Sequence, residues 1–119
     1  MEQNRWDALQ NAGIDLPDAL RRMAGNTELL EKFLMRFPED DNFGILGRAL
    51  DGADWDTALI AVHTLKGVAQ NLGFDRLYAV SVPLTEAMRG GKPLIDPALL
   101  TAVKDVHQET VAAILQLDA

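Results

Sequence analysis

The sequence predicts an all-α fold: an antiparallel up-down-up-down four-helix bundle with a short extra N-terminal helix. Apolar residues recur at helical spacing along the chain, and no segment alternates as a half-buried strand does. The long amphipathic stretches are joined by short polar connections, which favour antiparallel neighbours. With 119 residues, 48% of them hydrophobic, the chain suits a single domain over residues 1–119 with one core.

The first short helix is expected to start near Leu16-Pro17, with proline early, and to run to Met23 before a cap at Gly25. Asn26 is a good N-cap for the next helix, and Glu28 lies in its first turn. Leu29, Leu30, Phe33, Leu34 and Phe37 mark that helix's expected buried face. Pro38 removes a backbone donor and clashes with the preceding turn. We therefore expect a kinked helix continuing through Ile45, Leu46, Ala49 and Leu50 to Asp51-Gly52, with two separate helices as the alternative.

Asp54 caps the third helix, whose inner stripe is Ala58, Val62, Leu65, Ala69 and Leu72, and Gly73 ends it. A fourth helix spans about Phe74 to Arg89, with Leu77, Val80, Leu84 and Met88 inward and Pro83 inside it. Gly90-Gly91-Lys92-Pro93 reads as a loop. Asp96-Pro97 then opens a last helix in the N-cap/N1 arrangement, with Leu99, Val103, Val106, Thr110, Ala113 or Ile114, and Leu117 facing inward. Trp6 and Trp55 are expected to pack near helix ends, and His107 to be a boundary or surface residue.

Eleven Lys and Arg stand against eighteen Asp and Glu, a net charge of −7. A chain this acidic, with no basic run, is a poor partner for nucleic acid or an anionic membrane. No apolar run approaches the roughly 18 residues that span a bilayer, and Met1 to Asp7 lack a signal-peptide pattern. There are no cysteines, which removes disulfide scaffolds and Cys-based zinc sites. A His63/His107 metal pair lacks a third ligand at recognisable spacing, so no metal site is expected. We expect a cytoplasmic, free-standing monomer.

The third helix carries the chemistry. Offsets of three, four and seven residues share one helix face, so His63, Lys66, Gly67 and Gln70 form one ridge opposite the inner stripe. A neutral imidazole is a nucleophile near pH 7, and an ammonium one turn away can hold an anion beside it. Glycine inside a helix costs roughly 1 kcal/mol against alanine. Something at Gly67 should offset that cost, and a backbone left open to a partner or a phosphoryl group is the simplest candidate. Leu59 and Ile60 place apolar surface beside this polar centre, suited to a partner's interface.

These residues resemble the signature of histidine-containing phosphotransfer (HPt) domains, His-x-x-Lys-Gly followed by five residues and another Gly. His63, Lys66, Gly67 and Gly73 match it, while Gly13-Ile14-Asp15, Phe33 to Phe37 and the helix with Leu84 look like further parts of the family, about 100 residues in all. The resemblance implies that His63 accepts a phosphoryl group from a phosphoaspartate on one receiver domain and passes it to an aspartate on another. Lys66 would neutralise the phosphoryl oxygens, and Gly67 would keep the ring accessible. The receiver, in a response regulator or hybrid sensor kinase, would bring the magnesium ion, the chain having no cofactor of its own. The position that often carries Gln or Glu beside the histidine falls on Thr85, whose hydroxyl would then orient the ring, with Gln70 as a substitute.

Two other functions compete. A bundle that docks receivers without carrying phosphate needs no histidine, yet His63 is present. A sensor-kinase dimerisation region resembles His-Glu-x-x-x-Pro, whereas Thr64 follows His63 and no nucleotide loop follows in the chain. The chain is therefore read as a phosphocarrier without its own nucleotide site.

Overall fold

The computed structural model describes residues 1–90 and 95–118, which are helical almost throughout. Among the described residues seven α-helices are formed: α1 (Gln3–Asn11), α2 (Leu16–Arg22), α3 (Thr27–Arg36), α4 (Asn42–Asp51), α5 (Trp55–Asn71), α6 (Asp75–Met88) and α7 (Pro97–Leu115). Short 3-10 turns cover Phe37–Glu39 and Gln116–Asp118. No described helix is long and apolar enough to cross a membrane.

Local signals set most boundaries as expected. The Asn26 side chain accepts from Leu29 N–H at 3.0 Å, Asp54 from Thr57 N–H at 3.2 Å, and Asp96 from Ala98 N–H at 2.9 Å. Each satisfies an amide that the first helical turn leaves without a partner. Pro97 sits in the first turn of α7, where its missing N–H costs nothing. Of the loop expected at Gly90–Pro93, residues 91–93 lie outside the described residues.

Two expectations fail here. The N-terminus carries two helices, α1 as well as α2. In α1 only Leu9 is fully covered, so its sequence lacks the apolar stripe that announces a helix. The chain also does not run on as a kinked helix through Pro38. It leaves α3 at Arg36, makes a 3-10 turn and starts again at Asn42, giving the separate helices. Proline cannot supply the donor for the next α-helical bond, while a 3-10 turn accepts it near its start.

Helices α4, α5, α6 and α7 pack in sequential order, and α3 with its 3-10 turn lies against α7. The core gathers Leu30, Leu34, Leu46, Leu65, Leu77 and Ile114, all fully buried. Phe37 meets Phe74 edge to face at 4.7 Å between ring centres, a favoured aromatic geometry. The expected α5 stripe of Ala58, Val62, Leu65, Ala69 and Leu72 is buried throughout. On α3, by contrast, Phe33 is 41% exposed and leaves the expected buried face.

The segment before α2 is tied to the turn between α5 and α6. Ile14 and Phe74 form an isolated antiparallel bridge, and Asp15 N–H donates to Gly73 O at 2.8 Å. Gly73 has φ +74°, and a Cβ there would fall 2.3 Å from the Asp15 carbonyl oxygen. Only glycine fits both the backbone angle and the crossing chain.

Candidate functional site

His63 stands near the middle of α5, a helix unbroken from Trp55 to Asn71. The inward side of α5 is fixed by Val62, Leu65 and Ala69, which have no exposed surface. Helix geometry of about 100° per residue then turns His63 outward, and the residue is exposed. Gln70 is exposed as well, while Lys66 and Gly67 are half-buried.

Gly67 opens onto free space: apart from its chain neighbours and its own helix backbone, no heavy atom lies within 4 Å of the position a Cβ would take. Inside this fold nothing requires glycine there, and its helix penalty of roughly 1 kcal/mol stands without an internal reason. Gly73 behaves oppositely, since its hydrogen is forced by the Asp15 backbone. The two glycines at motif spacing thus do different jobs, one at the surface ridge and one in the scaffold.

A shallow depression of about 270 Å³ lies beside His63, lined by Leu59, Ile60, His63, Thr64 and Arg89. Ile60 is 66% exposed and Leu59 is half-buried, so the wall of the depression is apolar and open to solvent. The Thr64 hydroxyl donates back to Ile60 O at 2.8 Å, which ties it to the helix. Further along α5, Val68 and Leu72 line a second apolar depression with Phe33 and Met23. Apolar surface therefore flanks the polar ridge on either side of Gly67.

Arg89, at the C-terminal end of α6, did not emerge from the sequence. Its Nε lies 3.2 Å from Glu86 Oε1, and both side chains are at least half exposed. A usable signal existed: Arg89 is four residues after Thr85 and so shares its ridge on α6. Extending that ridge by one turn would have reached it.

The ring-orienting residues require correction. Thr85 has no exposed surface, and its hydroxyl donates to Ser81 O at 2.7 Å. A buried hydroxyl inside a helix takes the nearby carbonyl of the preceding turn, so its proton is not available to His63. Gln70 is two turns from His63, about 10 Å along the axis, too far for an amide to reach the ring. Among the described residues, neither forms a hydrogen bond with His63.

His107 takes the boundary position expected, half-buried on α7. Its ring stacks on Phe43 at 5.0 Å and meets Phe37 at 5.6 Å. Its Nε2 is buried without a hydrogen-bond partner among the described residues. Burial holds its pKa below the ordinary histidine value, only partly opposed by Asp40. The residue belongs to the packing between α7 and the segment carrying Phe37 and Phe43.

Among the described residues no group of three or more His, Cys, Asp or Glu side chains is arranged to hold a metal ion. Residues 28–114 match a family model described as Hpt domain. Neither the curated proteins nor the solved structures gave a match.

Proposed function

The chain belongs to the Hpt domain family, and on that premise we propose that it is a phosphorelay intermediate whose phosphoryl-carrying atom is a ring nitrogen of His63. Helices α4 to α7 form the up-down-up-down bundle of a single-domain, monomeric carrier. The unprotonated nitrogen attacks the phosphorus of a receiver's aspartyl phosphate. A P–N bond forms as the P–O bond to the aspartyl carboxyl group breaks, and the aspartate leaves as a carboxylate. The reverse step, with a second receiver's aspartate as nucleophile, reloads a carboxyl group and frees the ring.

Such a transfer runs through a loose, in-line transition state with charge spread over three phosphoryl oxygens. The chain contributes an exposed nucleophile on a rigid helix and the Lys66 ammonium one turn away. The bare Gly67 backbone leaves room for the receiver to close over the ring. The receiver supplies the magnesium ion and the remaining charge stabilisation. Leu59 and Ile60 supply apolar contact around a polar centre. The partners are receiver domains of response regulators or hybrid sensor kinases in the cytoplasm, not nucleic acid or membrane. The activity is that of a phosphocarrier rather than of an enzyme with its own nucleotide site.

The observation that carries this proposal is the exposed His63 in an unbroken helix, beside a glycine that faces open space. The test incubates the chain with a phosphorylated receiver and follows acid-labile label. Label should appear on the wild-type chain and be lost in His63→Gln. A His63→Gln protein that still takes up acid-labile label would overturn the assignment. A folded chain that binds receivers but never takes label would instead be a non-phosphorylated docking module.

A further inference from the structure

We propose that the open seam between α4 and α7 seats a basic amphipathic helix of a partner protein, away from the His63 depression. The proposal stands whether or not His63 carries phosphate. Phe43 on α4 stacks on His107 of α7 at 5.0 Å and closes the seam at one end. Phe43 to Leu50 and His107 to Leu100 each run seven residues toward the other end, about two helical turns. There the seam opens into an apolar groove of about 290 Å³, lined by Leu50, Trp55, Ile95, Pro97 and Leu100. Gly47 lies four residues after Phe43 and three before Leu50, on the face that both present to α7. Apart from its chain neighbours and its own helix backbone, no heavy atom lies within 4 Å of where its Cβ would be. The seam is thus left unfilled from Gly47 to Leu50.

The rim selects the occupant. Asp51 follows Leu50, Asp54 and Asp56 flank Trp55, and Asp96 stands between Ile95 and Pro97; all four are exposed. Among the described residues none of the four has an ion-pair partner. Arg48, two residues before Leu50, is held by Asp41 at 2.6 Å. In sequence, Lys92 and Lys104 are the next cations, three residues before Ile95 and four after Leu100. Four carboxylates around an apolar groove complement lysines or arginines that flank apolar side chains on one helix face. A second copy of this chain would bring the same carboxylates against one another, and an anionic membrane or nucleic acid would meet them as like charge. The half-buried Trp55 is an aromatic anchor of the kind that dominates such interfaces. The groove and the His63 depression share no lining residue. Trp55 lies eight residues before His63, about 12 Å along α5, so a helix seated here leaves the ring open.

The test titrates a model helix of leucine and lysine, about four turns long, into the full chain carrying Trp6→Phe, which leaves Trp55 as the one tryptophan. The Trp55 emission should shift to the blue and saturate. Leu100→Ser should weaken binding by about tenfold. Asp51→Asn with Asp56→Asn should weaken it by about three- to tenfold, a loss that shrinks in added salt. Gly47→Met should also weaken binding while raising the thermal midpoint, whereas a variant that merely misfolds lowers both. Phe33→Ser, in a different apolar depression, should leave affinity unchanged. A leucine-glutamate helix and a leucine-free lysine peptide should each bind at least about tenfold more weakly. Equal binding of either peptide, an equal loss in Phe33→Ser, or unchanged affinity in Leu100→Ser and Gly47→Met overturns the proposal. The absence of a saturable shift overturns it as well. So does a blue shift that grows with chain concentration without peptide and accompanies a dimer in sedimentation, which makes a second copy the occupant.

Discussion

The Asp15 N–H donates to the Gly73 carbonyl at 2.8 Å, and the Asp15 carbonyl oxygen stands where a Gly73 Cβ would go. This contact welds the N-terminal segment to the turn that reverses the chain between α5 and α6. Gly73→Ala adds a left-handed strain of about 1–2 kcal/mol and an overpacking cost of about 1–3 kcal/mol. It should destabilise the fold by about 2–5 kcal/mol in chemical denaturation. The fraction that remains folded should still accept label at His63, because the turn lies at the far end of α5 from the ring.

Gly67→Ala should act in the opposite sense on stability. With open space around the missing Cβ, alanine removes the helix penalty and should stabilise the isolated chain by about 0.5–1 kcal/mol. Transfer from a phosphorylated receiver should nevertheless slow by about tenfold, the equivalent of roughly 1.4 kcal/mol of lost contact. Denaturation curves and a transfer time course on the same preparation check both halves. A variant that is more stable and transfers at the wild-type rate would show that no partner needs the bare backbone there.

Ile60 offers a separate handle on docking. At 66% exposure it contributes little to the core, so Ile60→Asp should change stability by no more than about 0.5 kcal/mol. If Ile60 lies at the centre of the receiver interface, the substitution should weaken receiver binding by more than about 1 kcal/mol, a fivefold or greater rise in Kd. Labelling by phosphoramidate, which needs no protein contact, should be unchanged. Calorimetric titration against a receiver gives the first quantity and label incorporation the second.

The parts of this molecule legible in the sequence are those written in local chemistry. Asn26, Asp54 and Asp96 announce helix starts because a side-chain oxygen caps its own first turn. The α5 stripe is legible because its burial follows one period along one element. The exposure of His63 follows directly from that stripe. What was missed depends on packing between elements. Helix α1 buries a single leucine fully and so carries almost no periodic signal. Phe33 is exposed although its spacing matches the buried positions of α3. Thr85 turns to its own backbone, a choice that spacing alone does not disclose. Arg89 enters the site only because the end of α6 comes to lie beside the middle of α5.

His107 makes stability depend on pH in a window that can be assigned. Its ring is wedged against Phe37 and Phe43 with Nε2 buried and unpartnered among the described residues, and burial lowers its pKa below 6.5. The unfolded chain then binds a proton at a higher pH than the folded one does. Above the unfolded pKa of about 6.5 both states hold a neutral ring, and the histidine's contribution to stability is fully present. As pH falls from there toward the lower folded pKa, protons bind preferentially to the unfolded state and stability declines. Below the folded pKa both states are charged and this contribution stays lost. The nearby Asp40 opposes the shift, so Asp40→Asn should steepen the decline. His107→Phe, which keeps an aromatic stack with Phe43, should flatten the stability profile as pH falls below about 6.5. Thermal denaturation of wild type and both variants across that range measures the slopes. A wild-type slope that survives intact in His107→Phe would mean that another group carries the acid sensitivity.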